Sequence, residues 1–320
     1  MAGLFNSFYY GKAGKADFTP EQLPSNRRQL FFDVLRVRFG GLVGQNLLYV
    51  LIQLPTIVWT AVSFMALTVL IDSSVAAANG EVITGALHIP ADQFTGALNG
   101  QIVIWLLGLI PCLMIAGALK PGVIYVLRNW SRDQHSFVFS DLKDAIKSNW
   151  KTGLLVGLIN ALSLLITFVC YIFYGGMSGD SVIWVVPQMF VVIMCILWWM
   201  ANMVIYPMMV TYQMKFSHIV RNGIIMVLAR LPWSVLIWGL SVAIPVVLVL
   251  FVPYGSVAAI VIYLLIGLAL NQFIYVSYAN SCFDRFLNPR IEGAPVNMGL
   301  RDPMYDGLDE EDEEEADAPQ

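Results

Sequence analysis

The sequence predicts an all-α membrane protein with about six transmembrane helices. Hydrophobic residues make up 58% of the 320 residues, and charged residues make up only 12%. About six apolar runs reach the roughly 20 residues that an α-helix needs to cross the hydrocarbon core of a bilayer. The connections between these runs alternate between segments rich in Lys and Arg and segments that contain neither. Soluble helical domains do not hold six such runs, so we exclude a soluble protein.

The apolar runs define the expected spans, with ends placed to within several residues. Lys120, near the end of the second run, is the one ionised side chain among them. Because the inner end of a span lies close to the headgroups, we expect the stem of Lys120 to extend toward them. The expected spans are 42–71, 101–126, 153–174, 182–210, 234–252 and 256–276.

The distribution of cations predicts the orientation of the bundle. The connections 72–100, 175–181 and 253–255 contain no Lys or Arg, whereas all 18 Lys and Arg residues fall in the opposite set of segments or at the end of the second span. Loops rich in Lys and Arg stay in the cytoplasm. We therefore expect a multi-pass protein with both termini in the cytoplasm.

Three regions follow from these spans. Residues 1–41 form a cytoplasmic N-terminal segment with an amphipathic helix, residues 42–278 form the transmembrane domain, and residues 279–320 form a cytoplasmic C-terminal segment. Eight of the 22 acidic residues lie within 309–320. A run of like charges repels itself and buries no apolar surface, so we expect a disordered acidic tail. The tail is either a docking segment for a basic partner or a solvated terminus.

A short pattern recurs at the start of the first, third and fifth spans. The pattern consists of a cation, a Gly or Pro two residues later, and then a Val. It occurs within 38–43, 151–156 and 230–235. Apolar residues at helical spacing precede each one. This predicts an interfacial amphipathic helix followed by a transmembrane hairpin, repeated three times. The same pattern can also arise by chance, because every inner helix end favours a cation and a turn residue.

Two pairs of glycines are spaced four residues apart, Gly40 with Gly44 and Gly153 with Gly157. Small residues at this spacing let helices approach closely, so we expect close helix packing at both pairs.

Amides, rather than carboxylates, are the polar groups within most of the expected spans. Ion-coupled carriers usually place ionised residues at mid-depth, so this composition favours either neutral-solute binding or hydrogen bonding between helices. The candidate cavity residues are Asn46, Asn160, Gln188, Asn202 and Asn271.

No catalytic motif stands out in the chain. Phosphate-binding loops of the Gly-x-x-x-x-Gly-Lys-Ser/Thr type, His-Glu-x-x-His and Gly-x-Ser-x-Gly are all missing from the sequence. The three His residues have no metal-ligand spacing, and the four Cys residues imply no disulfide framework. We therefore expect a protein that is not an enzyme, without catalytic, cofactor-binding or metal-binding residues and without nucleic acid as a partner.

Three stretches of the chain carry a resemblance to a known family: Gly3-Leu-Phe-Asn-Ser-Phe-Tyr-Tyr-Gly11, the segment 141–151, and Asn222 followed by 231–237. They resemble the YesL family of bacterial integral membrane proteins. The resemblance extends to about Leu287 and leaves out the acidic tail. It implies location in the bacterial cell membrane and a role beside a carbohydrate importer driven by ATP hydrolysis, an ABC importer, in polysaccharide utilisation. It supplies no catalytic residues.

Two functions are therefore expected from the sequence. The first is a non-enzymatic accessory or assembly partner of a carbohydrate ABC importer, with the bilayer and importer subunits as partners. The second is a transporter or channel in its own right for a neutral solute such as a sugar. For the first, the candidate partner contacts are Asp141, Lys143, Asn149, Trp150 and Lys151. The alternative for this stretch is an interfacial anchor with solvated charges.

Overall fold

Helices form nearly all of the described chain. The computed structural model describes residues 23–78, 91–179 and 181–301. The described residues form nine α-helices and no strand. They are α1 (Arg27–Val37), α2 (Phe39–Ala78), α3 (Ala91–Trp130), α4 (Val138–Ser178), α5 (Val185–Thr211), α6 (Phe216–Ala229), α7 (Leu231–Phe251), α8 (Gly255–Ile262) and α9 (Leu268–Phe286).

Six helical segments within the described residues are long and apolar enough to cross a membrane. Helices α2, α3, α4, α5 and α7 supply five of them. The sixth runs through α8, a π-helical turn at Tyr263–Gly267, and α9. The predicted all-α membrane fold with about six spans is thus confirmed.

The helices are longer than the apolar runs from which they were predicted. Helix α2 continues to Ala78 and α3 begins at Ala91, so much of the expected loop 72–100 is helical. Ser73 and Ser74 lie within this extension and donate hydrogen bonds to the Val69 and Ile71 carbonyls, at 2.7 and 2.8 Å. An apolar run marks where a helix meets lipid, and serines that bond to the preceding turn do not end the helix.

The three expected amphipathic segments fold in two ways. Helices α1 and α6 are each separated from the following span by one residue, Arg38 and Arg230 respectively. The segment before the third span has no such break, because α4 stays helical from Val138 to Ser178. Two of the three units therefore pair a separate short helix with a span. The threefold repeat stays a prediction.

Helices α3 and α4 make a close backbone contact through three glycines. A Cβ atom at Gly117 would lie 2.9 Å from the Gly157 Cα, and a Cβ at Gly157 would collide with the Leu113 carbonyl oxygen. Gly153 faces the Gly117 carbonyl in the same way. In contrast, a Cβ at Gly40 or Gly44 would have no atom within 4 Å. The expected close packing is present at Gly153 and Gly157 and is wrong for Gly40 and Gly44.

Asn46 compensates for the π-helical turn in the last span. Its Nδ2 donates to the Tyr263 and Leu264 carbonyls at 3.1 and 2.7 Å, and its Oδ1 accepts from the Ala269 backbone N–H at 2.8 Å. A π turn leaves backbone groups without their usual partners, and lipid offers them none. Asn46, which is fully buried, supplies the missing bonds from α2.

Replacing Asn46 with leucine should destabilise the fold. The variant loses three hydrogen bonds, among them the one that the Ala269 N–H donates to the Asn46 Oδ1. We expect a loss of about 2 kcal/mol, read as a lower midpoint of thermal unfolding in detergent. Asn149→Leu is the matched control, because the Asn149 amide bonds only to the Ala145 carbonyl one turn away. Equal midpoints for the two variants would contradict the role of Asn46.

The cation-bearing segments meet at one end of the bundle, which we call the cationic end. Arg27 of α1 forms an ion pair with Asp284 of α9. Arg132, just after α3, donates to the Asn280 Oδ1 at 3.0 and 3.2 Å, and Arg230 donates to the Ser281 Oγ at 2.9 Å. Polar side chains thus join α1, α3, α7 and α9 at this end.

The buried core lies in the same half of the molecule. The last eleven residues of α5 before Thr211 are all buried, as are long stretches at the ends of α3 and α9. Toward the opposite end the apolar side chains are exposed, as at Leu250 and Phe251. In a membrane these exposed side chains contact lipid, so the bundle is held together mainly in its cationic half.

Candidate functional site

A cavity whose wall combines polar, aromatic and apolar side chains lies between the helices of the bundle. Its volume is about 300 Å³, and all six spans contribute to its wall. Along their helices, Tyr206 lies five residues before Thr211 and Lys120 lies ten residues before Trp130, which is about 7.5 and 15 Å from the cationic end. The polar and aromatic side chains that line it are Tyr49, Gln53, Lys120, Asn160, Trp199, Asn202, Tyr206, Trp238, Ser241, Asn271, Gln272 and Tyr275.

Lys120 lies in the wall of this cavity. Its ammonium group lies 4.2 Å from the centre of the Tyr206 ring, a distance typical of a cation–π contact. Helix α3 continues for ten residues beyond Lys120, to Trp130, which is about 15 Å of helix. The expectation that Lys120 extends to the headgroups is therefore wrong. The apolar run stopped near Lys120, but the helix does not.

Several amides in the cavity wall have polar atoms without a hydrogen-bond partner. The buried Gln53 Oε1 and Asn202 Oδ1 have no hydrogen-bond partner. Asn271 and Gln272 line the cavity from α9, and within the described residues neither side chain has a hydrogen bond. Gln272 is only 9% exposed. A buried amide without a partner costs free energy, so these groups are suited to a polar ligand.

Other polar groups in the wall are held by their neighbours. The Trp198 Nε1 donates to the Asn160 Oδ1 at 2.8 Å, and the Asn202 Nδ2 donates to the Trp198 carbonyl at 2.8 Å. The Tyr275 and Ser241 hydroxyls share a short hydrogen bond between α9 and α7. These bonds fix the orientation of the wall before any ligand binds.

The structure brings together three of the five predicted cavity residues. Asn160, Asn202 and Asn271 line the cavity. Asn46 does not line it, because its amide is hydrogen-bonded to the backbone of the π-helical turn and of the helix that follows. Gln188 does not either, since it is buried near the other end of α5 and donates to the Tyr171 carbonyl at 3.0 Å. For Asn46 and Gln188 the cavity assignment was wrong, and both join helices.

The predicted partner contacts lie at the start of α4, and two of them have local structural roles. The Asp141 carboxylate accepts hydrogen bonds from the Ser136 hydroxyl and the Phe137 N–H, at 2.6 and 2.9 Å, and so caps the helix. Asn149 bonds to the Ala145 carbonyl within α4. The remaining three, Lys143, Trp150 and Lys151, are exposed. Lys151 lies against the Trp150 ring at 5.6 Å.

A second recess opens at the cationic end beside these residues. Its volume is about 760 Å³, and Asp141, Asp144 and Asn149 line it together with the segment between α5 and α6. Tyr212 borders the recess, and its hydroxyl donates to the Asn288 Oδ1. Burial raises the pKa of Tyr212 to about 12, so this phenol stays protonated near neutral pH.

Sequence reasoning missed much of the cavity wall. Lys120 was interpreted as a headgroup contact, and Gln53, Gln272 and the tyrosines were left out. A local signal exists for them: a polar side chain stands one helical turn from a tyrosine on three spans. These pairs are Tyr49 with Gln53, Asn202 with Tyr206, and Gln272 with Tyr275. Residues three or four apart share one helix face, so each pair predicts a polar stripe.

Comparison with known proteins gives no relative on which to base a function. No protein-family model, no curated protein and no solved structure matches the chain. Within the described residues, no group of three or more His, Cys, Asp or Glu residues is placed to hold a metal ion. The polar groups in the cavity wall are amides, hydroxyls, indole N–H groups and one lysine.

Proposed function

We propose that this chain is an integral membrane protein that binds and transports a small polar solute in its central cavity. The observation that carries the proposal is a set of four amides around one cavity: Asn271 and Gln272 have no hydrogen bond to a described residue, and Gln53 and Asn202 each have an oxygen without a partner. In lipid, polar side chains usually pair with one another or line a solute pathway. Here the groups face a common space contributed by all six spans.

The size and position of the cavity agree with this proposal. A volume of about 300 Å³ falls at the lower end of the range for small-molecule sites. The wall combines aromatic faces with a few polar groups, the usual composition of such sites. By the positive-inside rule we place the cationic end in the cytoplasm of a bacterial cell. The cavity then lies within the cytoplasmic half of the bilayer.

Uptake by the purified protein tests the proposal. The full chain is reconstituted into liposomes, and the accumulation of labelled sugars and sugar acids is followed against liposomes without protein. We expect uptake that saturates with solute concentration and needs no second protein. Rates equal to those of empty liposomes for every solute would contradict transport by this chain alone.

A second candidate is the accessory role beside a carbohydrate ABC importer that the YesL resemblance implies. The exposed side chains of Lys143, Trp150 and Lys151 support it, because Trp150 is 44% exposed beside the recess at the cationic end. An exposed tryptophan next to a cation suits either a partner protein or the lipid interface. Co-purification in mild detergent, with mass spectrometry of bound proteins, distinguishes a partner-binding surface from a lipid anchor.

If Trp150 and Lys151 contact importer subunits, replacing both residues with alanine should weaken the binding of those subunits. We expect at least a tenfold loss of recovered partner, because an exposed tryptophan at an interface contributes about 2 kcal/mol. The Lys147→Ala variant, an exposed residue on the same helix that is not a candidate contact, controls for loss of one charge. Unchanged recovery of the partner with the double variant would remove this contact and leave the interfacial anchor.

A further inference from the structure

The charge of the central cavity is unbalanced. Lys120 is the one charged residue that lines it, and no Asp or Glu among the described residues shares the wall. Neither ion pair of the described chain includes Lys120. Its neighbour is the Tyr206 ring, which stabilises a cation but does not neutralise it. A half-buried cation inside a membrane bundle, without a counter-charge, costs free energy that a bound anion would offset.

The amides around Lys120 are suited to hydroxyl groups. Within the described residues, Asn271 and Gln272 have both donors and acceptors without protein partners, and Gln53 and Asn202, whose buried side-chain oxygens lack a partner, line the same wall. A ligand that satisfies the whole wall therefore carries one anionic group and several hydroxyls. A volume of about 300 Å³ equals the liquid volume of roughly ten water molecules, which accommodates a six-carbon sugar derivative.

We propose that the cavity binds a hydroxylated anion of about the size of a hexose, with Lys120 paired to its carboxylate or phosphate. The inference rests on the proposed solute site and narrows its substrate from a polar solute to an anionic one. A soluble sugar acid or sugar phosphate has this chemistry, and so does the headgroup of phosphatidylglycerol. The cation-rich end of the bundle attracts anions of either source.

Matched pairs of ligands test the charge requirement. Full-length protein is placed in nanodiscs of phosphatidylcholine, and the binding of labelled glucuronate, glucose 6-phosphate and glucose is measured at equilibrium. We expect at least one of the two anions to bind at least about tenfold more tightly than glucose. Lys120→Met should remove this preference, and Lys120→Arg should retain it because the charge remains. If Lys120→Met does not fold, the comparison of the three ligands on the wild-type protein decides.

A second arm distinguishes the two sources of the anion. The protein is purified from membranes that contain phosphatidylglycerol, and bound lipid is measured by native mass spectrometry. Phosphatidylglycerol retained by the wild-type protein and lost from Lys120→Met, with no sugar bound, would assign the site to a lipid headgroup and contradict the transport of a solute.

The remaining outcomes separate this inference from the proposed function. Equal affinity of the wild-type protein for glucose and for both sugar anions overturns the anion site but leaves the solute site intact. A preference for anions that persists in Lys120→Met overturns the role of Lys120. Absence of binding by all three sugars and by phosphatidylglycerol overturns both proposals.

Discussion

Gly157→Leu should prevent the bundle from folding or lower its stability by about 3 kcal/mol or more. A Cβ at this position would collide with the Leu113 carbonyl oxygen and would lie only 3.0 Å from the Met114 Cα. Both are backbone atoms of α3, so neither can move aside as a flexible side chain would. The two helices would have to separate, with loss of the packing that drives helix association in lipid.

Gly44→Leu provides the control for this prediction. A Cβ at Gly44 meets no atom within 4 Å, so leucine there removes a flexible residue from a helix without a collision. We expect a stability within about 1 kcal/mol of the wild-type protein, or slightly higher. Thermal unfolding followed by gel filtration in detergent measures both variants. Similar unfolding midpoints for Gly157→Leu and Gly44→Leu would show that the contact between α3 and α4 is not as close as described.

Leucine at both Asn271 and Gln272 should abolish uptake while the fold is retained. Neither side chain bonds to another described residue, so their removal costs the folded protein little. A bound solute loses up to four hydrogen-bonding groups at once, each worth about 1 kcal/mol. We therefore expect uptake to fall by at least a hundredfold.

Two comparisons keep this result interpretable. The unfolding midpoint of the double variant should match or exceed that of the wild-type protein, because buried polar groups without partners are replaced by apolar ones. Asn149→Leu, an amide outside the cavity, should transport normally. Full uptake by the double variant would contradict the assignment of these residues to the solute site.

Hydropathy and charge were sufficient to predict the class of fold and the number of spans. An apolar helix is recognised along its own sequence, and the six spans were found without knowledge of their neighbours. The separate helices α1 and α6 were also indicated by local spacing. Two other features were not indicated: α4 continues without a break through Lys151, and α2 extends to Ala78. Hydropathy marks where a helix enters lipid, and both helices continue beyond that point.

The rotation of each span about its own axis could not be predicted from hydropathy. Lipid and the protein interior are equally apolar, so a residue that faces lipid and one that faces the core look alike in sequence. Five amides were therefore assigned to one cavity, although Asn46 and Gln188 point to other helices. The Gly117 contact with Gly153 and Gly157 fixes how α3 faces α4. Gly117, the third glycine of this contact, was not recognised in the sequence.

Lys120 illustrates the same difficulty for charge. A cation near the end of an apolar run usually reaches the headgroups, and nothing local distinguishes one that faces the bundle interior. Its place in the cavity follows from contact with Tyr206 on α5, which is a tertiary contact. The fold class was thus accessible from sequence, and the composition of the site was only partly so.

Accessibility of Asn271→Cys to a charged thiol reagent tests the central claim most directly. The native cysteines Cys112, Cys170, Cys195 and Cys282 are all free, and they are first replaced by alanine. Leu265→Cys on the same span is the control, because Leu265 is 51% exposed on the outer face of the bundle. We predict rapid modification of Asn271→Cys in liposomes and negligible modification of Leu265→Cys. Equal rates, or an Asn271→Cys that does not react, would contradict a polar cavity inside the membrane domain.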